Sequence, residues 1–150
     1  MYRLGDGRFT LELTRTPGGT VTTATSTTTA AVAEELVALC RAGRNMDAIE
    51  AFYSPDIVSV ESTGNEQMPA TLSGIEAIRE KNKWWTENNE VHSAEADGPF
   101  VGDDKFAVHY VFDVTFKPSG KRERMEEVAL YTVDNGKIIR EHFFYNPAST

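Results

Sequence analysis

The run KFAVHYVFDVTF (residues 105–116) is followed by the turn Pro118-Ser119-Gly120, then by KRERMEEVALYTV (121–133), a second turn Asp134-Asn135-Gly136, and KIIREHFFY (137–145). In the first run Phe106, Val108, Tyr110, Phe112, Val114 and Phe116 alternate with Ala107, His109, Val111, Asp113 and Thr115. A period of two belongs to a strand with one face on a core. Both turns have the composition that reverses a chain between paired strands. The last third of the chain therefore predicts an antiparallel meander of long strands. One of its faces is aromatic and wide enough to need covering by something earlier in the sequence.

The cover comes from the preceding segments. Val32, Leu36, Leu39 and Cys40 form an apolar stripe, predicting a helix over 30–42 with Thr28 or Thr29 as cap and Gly43 as stop. A second helix is expected over 46–53, capped by Asn45, with Ile49, Phe52 and Tyr53 inward. Ser54-Pro55-Asp56 breaks it, and IVSVES (57–62) reads as a strand followed by a polar loop over 63–70. Ser73 and Glu76 have capping-box spacing, so a third helix starts near Gly74 and carries Ile75, Ile78, Trp84 and Trp85. A weaker strand spans 91–101, interrupted at Asp97-Gly98-Pro99. The order α-α-β-α-β-β-β-β is an α+β domain with three helices packed on one face of an antiparallel sheet.

At 150 residues, 40% hydrophobic and 25% charged, the chain suits one soluble domain with a real core. The formal net charge of −8 argues against nucleic-acid or anionic-membrane partners. No apolar run approaches the ~18 residues that cross a bilayer. The basic cluster Lys121, Arg122, Arg124 is interrupted by Glu123 and reads as a solvated strand start. One cysteine, Cys40, allows no internal disulfide, and its helical spacing suggests a buried position rather than a nucleophile. The lack of disulfides fits a reducing, cytoplasmic setting.

Residues 1–28 read as an extension separate from a domain over 29–150. A small hairpin could form around Gly5-Asp6-Gly7, and the Thr/Gly/Ser stretch after it has little to bury and is expected to be flexible. It lacks the apolar core of a signal peptide, and the natural chain is expected to begin near Val21.

The segments RAGRNMDAIEAFYSPDIVSVES, LSGIEAIRE and VDNGKIIREHFFY, in that order, resemble the superfamily of ketosteroid isomerase, SnoaL-like polyketide cyclases and nuclear transport factor 2. The resemblance covers about residues 30–147. It implies a cystatin-like cone, a curved sheet wrapped around three helices with a pocket between them. On the family register Met125, Glu127, Ala129 and Tyr131 share the pocket side with the Phe106–Phe116 face, and Ile139, Glu141, Phe143 and Tyr145 follow suit. The scaffold hosts isomerases, cyclases, dehydratases, epoxide hydrolases and non-catalytic binders, so it leaves the reaction open.

Counted from Pro55-Asp56, Glu61 falls where ketosteroid isomerases carry a general-base aspartate. A carboxylate there, its pKa raised by an apolar wall, takes a proton from carbon beside a carbonyl. Spacing alone favours a strand-end carboxylate facing water, and it is the family register that turns Glu61 toward the pocket. The family's two enolate donors, a helix tyrosine and a protonated strand aspartic acid, correspond here to Leu36 and Ala129, so steroid isomerisation by that route is not expected. Tyr110 and Tyr131 are candidate substitute donors. Trp84, Phe106, Val108, Phe112, Glu127, Ala129, Glu141 and Phe143 are candidate substrate contacts. Glu127 and Glu141 would be costly inside unless paired or protonated.

His92, His109 and His142 lack ligand-like spacing, no phosphate loop is present, and neither metal nor cofactor is expected. On the opposite sheet face Val111, Val128, Leu130 and Phe144 mix with His109, Asp113, Arg124 and His142. That mixture suits a partner surface, and a homodimer is expected. Two functions stay open: a cofactor-free isomerase, cyclase or lyase acting on a hydrophobic small molecule, or a non-catalytic small-molecule binder or dimeric scaffold.

Overall fold

The structure is a computed structural model that describes residues 27–147. Apart from its last two residues, the extension expected over 1–28 lies outside the described residues.

Helix α1 (Thr29–Arg41) opens on Thr28, whose hydroxyl accepts from the Ala31 N–H at 3.1 Å. Val32, Ala33, Leu36 and Val37 form its buried stripe. Gly43 follows with φ +71°, a left-handed conformation that glycine adopts at little cost at a helix end. Helix α2 (Asn45–Phe52) starts at Asn45 itself rather than being capped by it. Arg44 takes the cap position without a side-chain bond and pairs with Asp47 at 2.7 Å instead.

Strand β1 (Tyr53–Val60) begins earlier than expected, and its pairing slips across Ser54-Pro55-Asp56 between Tyr53 and Val58. The slip lets the proline sit in a strand without donating to the ladder. After a polar loop, a short strand β2 (Thr71–Ser73) pairs with β1. Helix α3 (Ile75–Asn88) does not use the expected capping box. Gly74 holds the cap position at φ +89°, and Glu76 pairs with Arg79.

Strands β3 (Asn89–Val101), β4 (Lys105–Phe116), β5 (Lys121–Asp134) and β6 (Lys137–Phe144) form the meander. Strand β3 runs through Asp97-Gly98-Pro99 with a register shift rather than a break. The six strands lie in the order β2-β1-β6-β5-β4-β3. Every neighbouring pair is antiparallel except β1 with β6, which is parallel, so the sheet is mixed rather than wholly antiparallel. The reason is topological. The intervening elements carry the chain across the sheet, so β6 arrives beside β1 running the same way.

The inner face is the one the alternation predicted. Phe106, Val108, Tyr110, Ala129 and Tyr131 are all buried there, in one cluster with Val32, Leu36, Ile57 and Ile78, and Val114 is buried as well. Each such aliphatic or aromatic side chain contributes about 1.5–3 kcal/mol when fully removed from water. One facing expectation fails. Ile139 is 38% exposed, and Ile138 is buried in its place. Between Thr132↔Arg140 and Val133↔Ile138 strand β6 carries one extra residue, a bulge that reverses the facing locally before Glu141 and Phe143 resume it.

Candidate functional site

A cavity of about 400 Å³ lies between the three helices and the inner face of the sheet, with the loop around Thr63–Pro69 at its rim. Its wall is mostly apolar, built from residues such as Leu36, Ile49, Ile78, Trp84, Trp85 and Phe112. This is the usual character of a small-molecule site: broad apolar walls with a few polar groups.

The polar groups come from both helices and strands. In the parallel β1–β6 pair, Ser59 lies beside Glu141, and both are buried. On α3, Ile78, Lys81 and Trp85 are spaced by three and four residues and share one helix face, which brings Lys81 over that pair. The Lys81 ammonium donates to Ser59 Oγ at 2.7 Å, Glu61 Oε1 at 2.8 Å and Glu141 Oε1 at 3.3 Å. It also lies 4.8 Å from the centre of the Phe143 ring. Burial by itself would lower the Lys81 pKa, but Glu141 and Glu61 more than reverse this and hold it above its ordinary value. The other Glu141 oxygen, Oε2, accepts a short hydrogen bond from the Tyr53 hydroxyl.

Further along the wall, the Tyr110 and Tyr131 hydroxyls lie 3.0 Å apart, and Tyr110 also reaches Cys40 Sγ at 3.7 Å. Burial pushes both phenols well above their ordinary range, so they remain protonated. The Cys40 thiol is pushed up as well, first by burial, which keeps it from being a thiolate nucleophile.

Glu127 stands apart. It lies directly across the β4–β5 ladder from Tyr110 and lines the cavity. Its carboxyl makes no hydrogen bond or ion pair among the described residues. Burial first, then the charges of Glu61 and Glu141, raise its pKa to about 7 against the opposing pull of Lys81.

The structure thus brings Glu61, Tyr110, Tyr131, Trp84, Phe112, Glu127, Glu141 and Phe143 to one cavity. Phe106, Val108 and Ala129 sit in the packed core and do not line it. Glu61 points inward as the family register implied, but it meets an ammonium rather than an apolar wall. Leu36 and Ala129 are buried and offer no side-chain donor. Lys81, Ser59, Tyr53 and Trp85 were not among the sequence candidates. Lys81 had left a signal, a single cation interrupting the apolar face between Ile78 and Trp85. Tyr53 had none, because its partner lies 88 residues away. Among the described residues no three His, Cys, Asp or Glu side chains converge as metal ligands would, and no helix is long and apolar enough to cross a membrane.

Comparison with known proteins agrees with this architecture. The model of a SnoaL-like domain matches residues 27–145. A crystal structure from Mesorhizobium loti, described both as a SnoaL-like polyketide cyclase and as a carbohydrate phosphatase, is 44% identical, with a TM-score of 0.75 over 79% of this chain and 100% of its own. An NTF2-like protein of Burkholderia thailandensis is 19% identical, with a TM-score of 0.69 over 80% of this chain and 92% of its own. A Xanthomonas campestris protein with a cystatin-like fold, also 19% identical, has a TM-score of 0.66 over 81% of this chain and 92% of its own. The last two likenesses speak for the fold alone. No curated protein matches the chain. With nearly all of its described residues inside the matched region, and a 44% identical relative aligned over its whole length, the chain belongs to the SnoaL-like domain family.

Proposed function

We propose that the cavity binds a small, largely apolar molecule and exchanges a proton with it, as a cofactor-free isomerase, cyclase or lyase would. Glu127 is the carboxyl that takes and returns the proton. The observation carrying this reading is the combination at Glu127: a carboxyl inside the cavity, without a partner among the described residues, and with a pKa of about 7. General acid–base catalysis is most effective when the group titrates near the working pH, and contributes roughly 10²–10⁴-fold in rate. Glu61, the base suggested by the family register, serves instead to anchor Lys81.

In this mechanism Glu127 removes a proton from carbon beside a carbonyl. The developing oxyanion is met by an O–H of the Tyr110–Tyr131 pair, whose hydroxyls stay protonated because burial opposes their ionisation. These two phenols stand in for the donors missing at Leu36 and Ala129. The relative described as a polyketide cyclase supports chemistry of this class.

Exchange of carbon-bound hydrogen tests the reading without knowledge of the product. Ketones and aldehydes with α-hydrogens are incubated with the protein in D₂O and followed by proton NMR. Wild type should accelerate loss of the α-proton signal, and Glu127→Gln should reduce that rate by at least about 10²-fold. Binding without exchange in wild type would favour the non-catalytic reading, which the absence of donors at Leu36 and Ala129 also supports.

The outer sheet face, where Val128 is 40% and Phe144 47% exposed, is read as the contact of a homodimer. A monomer in sedimentation at tens of micromolar would count against that.

A further inference from the structure

The cavity does not balance its own charge. Among the described residues three carboxyls line it, Glu61, Glu127 and Glu141, against a single cation, Lys81. Lys81 is already bonded to Glu61, Glu141 and Ser59 and has nothing left for Glu127.

The register shows what surrounds Glu127 on the inner face. Tyr110 is directly opposite, and Phe112 is diagonal to it on β4. Phe143, paired with Ala129, is diagonal on β6. Trp85 packs on Phe112 with ring centres 5.6 Å apart. A carboxyl among aromatic rings is the combination that holds organic ammonium ions: the ring faces attract the cation and the carboxylate neutralises it. The cavity already holds one alkylammonium in this way, since Lys81 is bonded to carboxylates and lies against the Phe143 ring.

We infer that the guest of this cavity carries an amine, and that Glu127 is the counter-ion of its ammonium group. The inference rests on the reading of the cavity as the binding site and names the substrate class for it: an amine-bearing carbonyl compound. A guest with a carboxylate or phosphate would meet Glu127 and find Lys81 spent. An uncharged guest would leave Glu127 to hold a proton with no partner. A carboxylate has two oxygens, so one can accept from the ammonium while the other faces the adjacent C–H; the ion pair lowers the Glu127 pKa from its guest-free value and keeps the carboxyl ionised, as a base must be.

Three naphthalene probes of matched size and different charge test this by calorimetry at pH 8: 2-naphthylmethylamine, 2-acetylnaphthalene and 2-naphthoate. The amine should bind about tenfold or more tighter than the ketone, with naphthoate weakest. In Glu127→Gln the amine should fall to the level of the ketone, while ketone affinity stays within about twofold. Naphthoate binding as tightly as the amine would overturn the inference, as would an amine preference that survives in a folded Glu127→Gln protein. The order of affinities in wild type is decisive even if that variant does not fold. Ketone binding equal to amine binding overturns the inference alone and leaves the cavity reading standing. Failure of all three probes removes both.

Discussion

On the outer face of the sheet Glu126 accepts from His109 at 2.7 Å and from Arg124 at 2.9 Å. Asp113 is held by both arms of Arg122, at 2.8 and 2.7 Å. Hydrogen bonds from Arg122 to Asp113, and from His109 and Arg124 to Glu126, pull these carboxylates below their ordinary pKa, and water screens whatever else is near. On the inner face, one residue along the same strand, Glu127 has no cation bonded to it among the described residues, and burial raises its pKa to about 7. The two glutamates are chemically identical and differ only in which way the pleat turns them. A period-two backbone thus sets two acidities in adjacent residues. Charge outside contributes solubility, and charge inside contributes chemistry.

The comparison breaks most sharply at Lys81. Lys81→Met leaves Glu61 and Glu141 beside each other without their cation, and should cost about 3–5 kcal/mol in urea denaturation at pH 7. A loss below about 1 kcal/mol, typical of exposed pairs, would mean that the inner cluster behaves like the outer one.

Glu127→Gln should act in the opposite direction. Because the folded pKa is raised, wild-type stability from this group is fully present below the unfolded value of 4.5 and is lost as pH rises through about 7. The variant, which cannot ionise, should therefore match wild type near pH 4.5 and exceed it by about 2–3 kcal/mol at pH 8. Thermal or urea midpoints across that range are the check. A constant difference at all pH values would remove the claim that Glu127 is strained when charged.

Tyr53→Phe removes the hydroxyl that satisfies one Glu141 oxygen and should cost about 1–3 kcal/mol. The expected effect is smaller than that of Lys81→Met because Glu141 keeps its ammonium. At the small end, Arg122→Ala on the outer face should leave the urea midpoint unchanged within error, since Asp113 simply returns to water.

The meander was legible because twelve residues of strict alternation leave one choice of face. Strand β2 was not, since three residues carry no period. The parallel β1–β6 pairing was equally hidden, because nothing local marks strands that meet across most of the chain. That pairing is what sets Ser59 beside Glu141, so the polar half of the cavity was hidden with it. Ile139 was misplaced because a bulge adds one residue and shifts the phase, which alternation cannot register. Alternation made Tyr110 legible as inward-facing, Glu61 and Glu127 were placed inward only through the family resemblance, and the partners of none of them were legible. An extended pattern fixes the direction of a side chain and says nothing about what a helix will lay across it.

The last strand among the described residues, β6, lies in the middle of the sheet, between β1 and β5. As a chain emerges from the ribosome, α1 to β5 are available before their central partner exists. Until residues 137–144 arrive, β1 and β5 each present an unpaired edge, and Lys81 has no Glu141 to meet. Folding of this protein must therefore wait for a long-range closure, which slows it, and the waiting chain carries two open edges able to pair with a neighbouring copy. The same placement makes the site a proofreader of its own synthesis: a chain that stops short of β6 has neither a closed sheet nor a complete cavity.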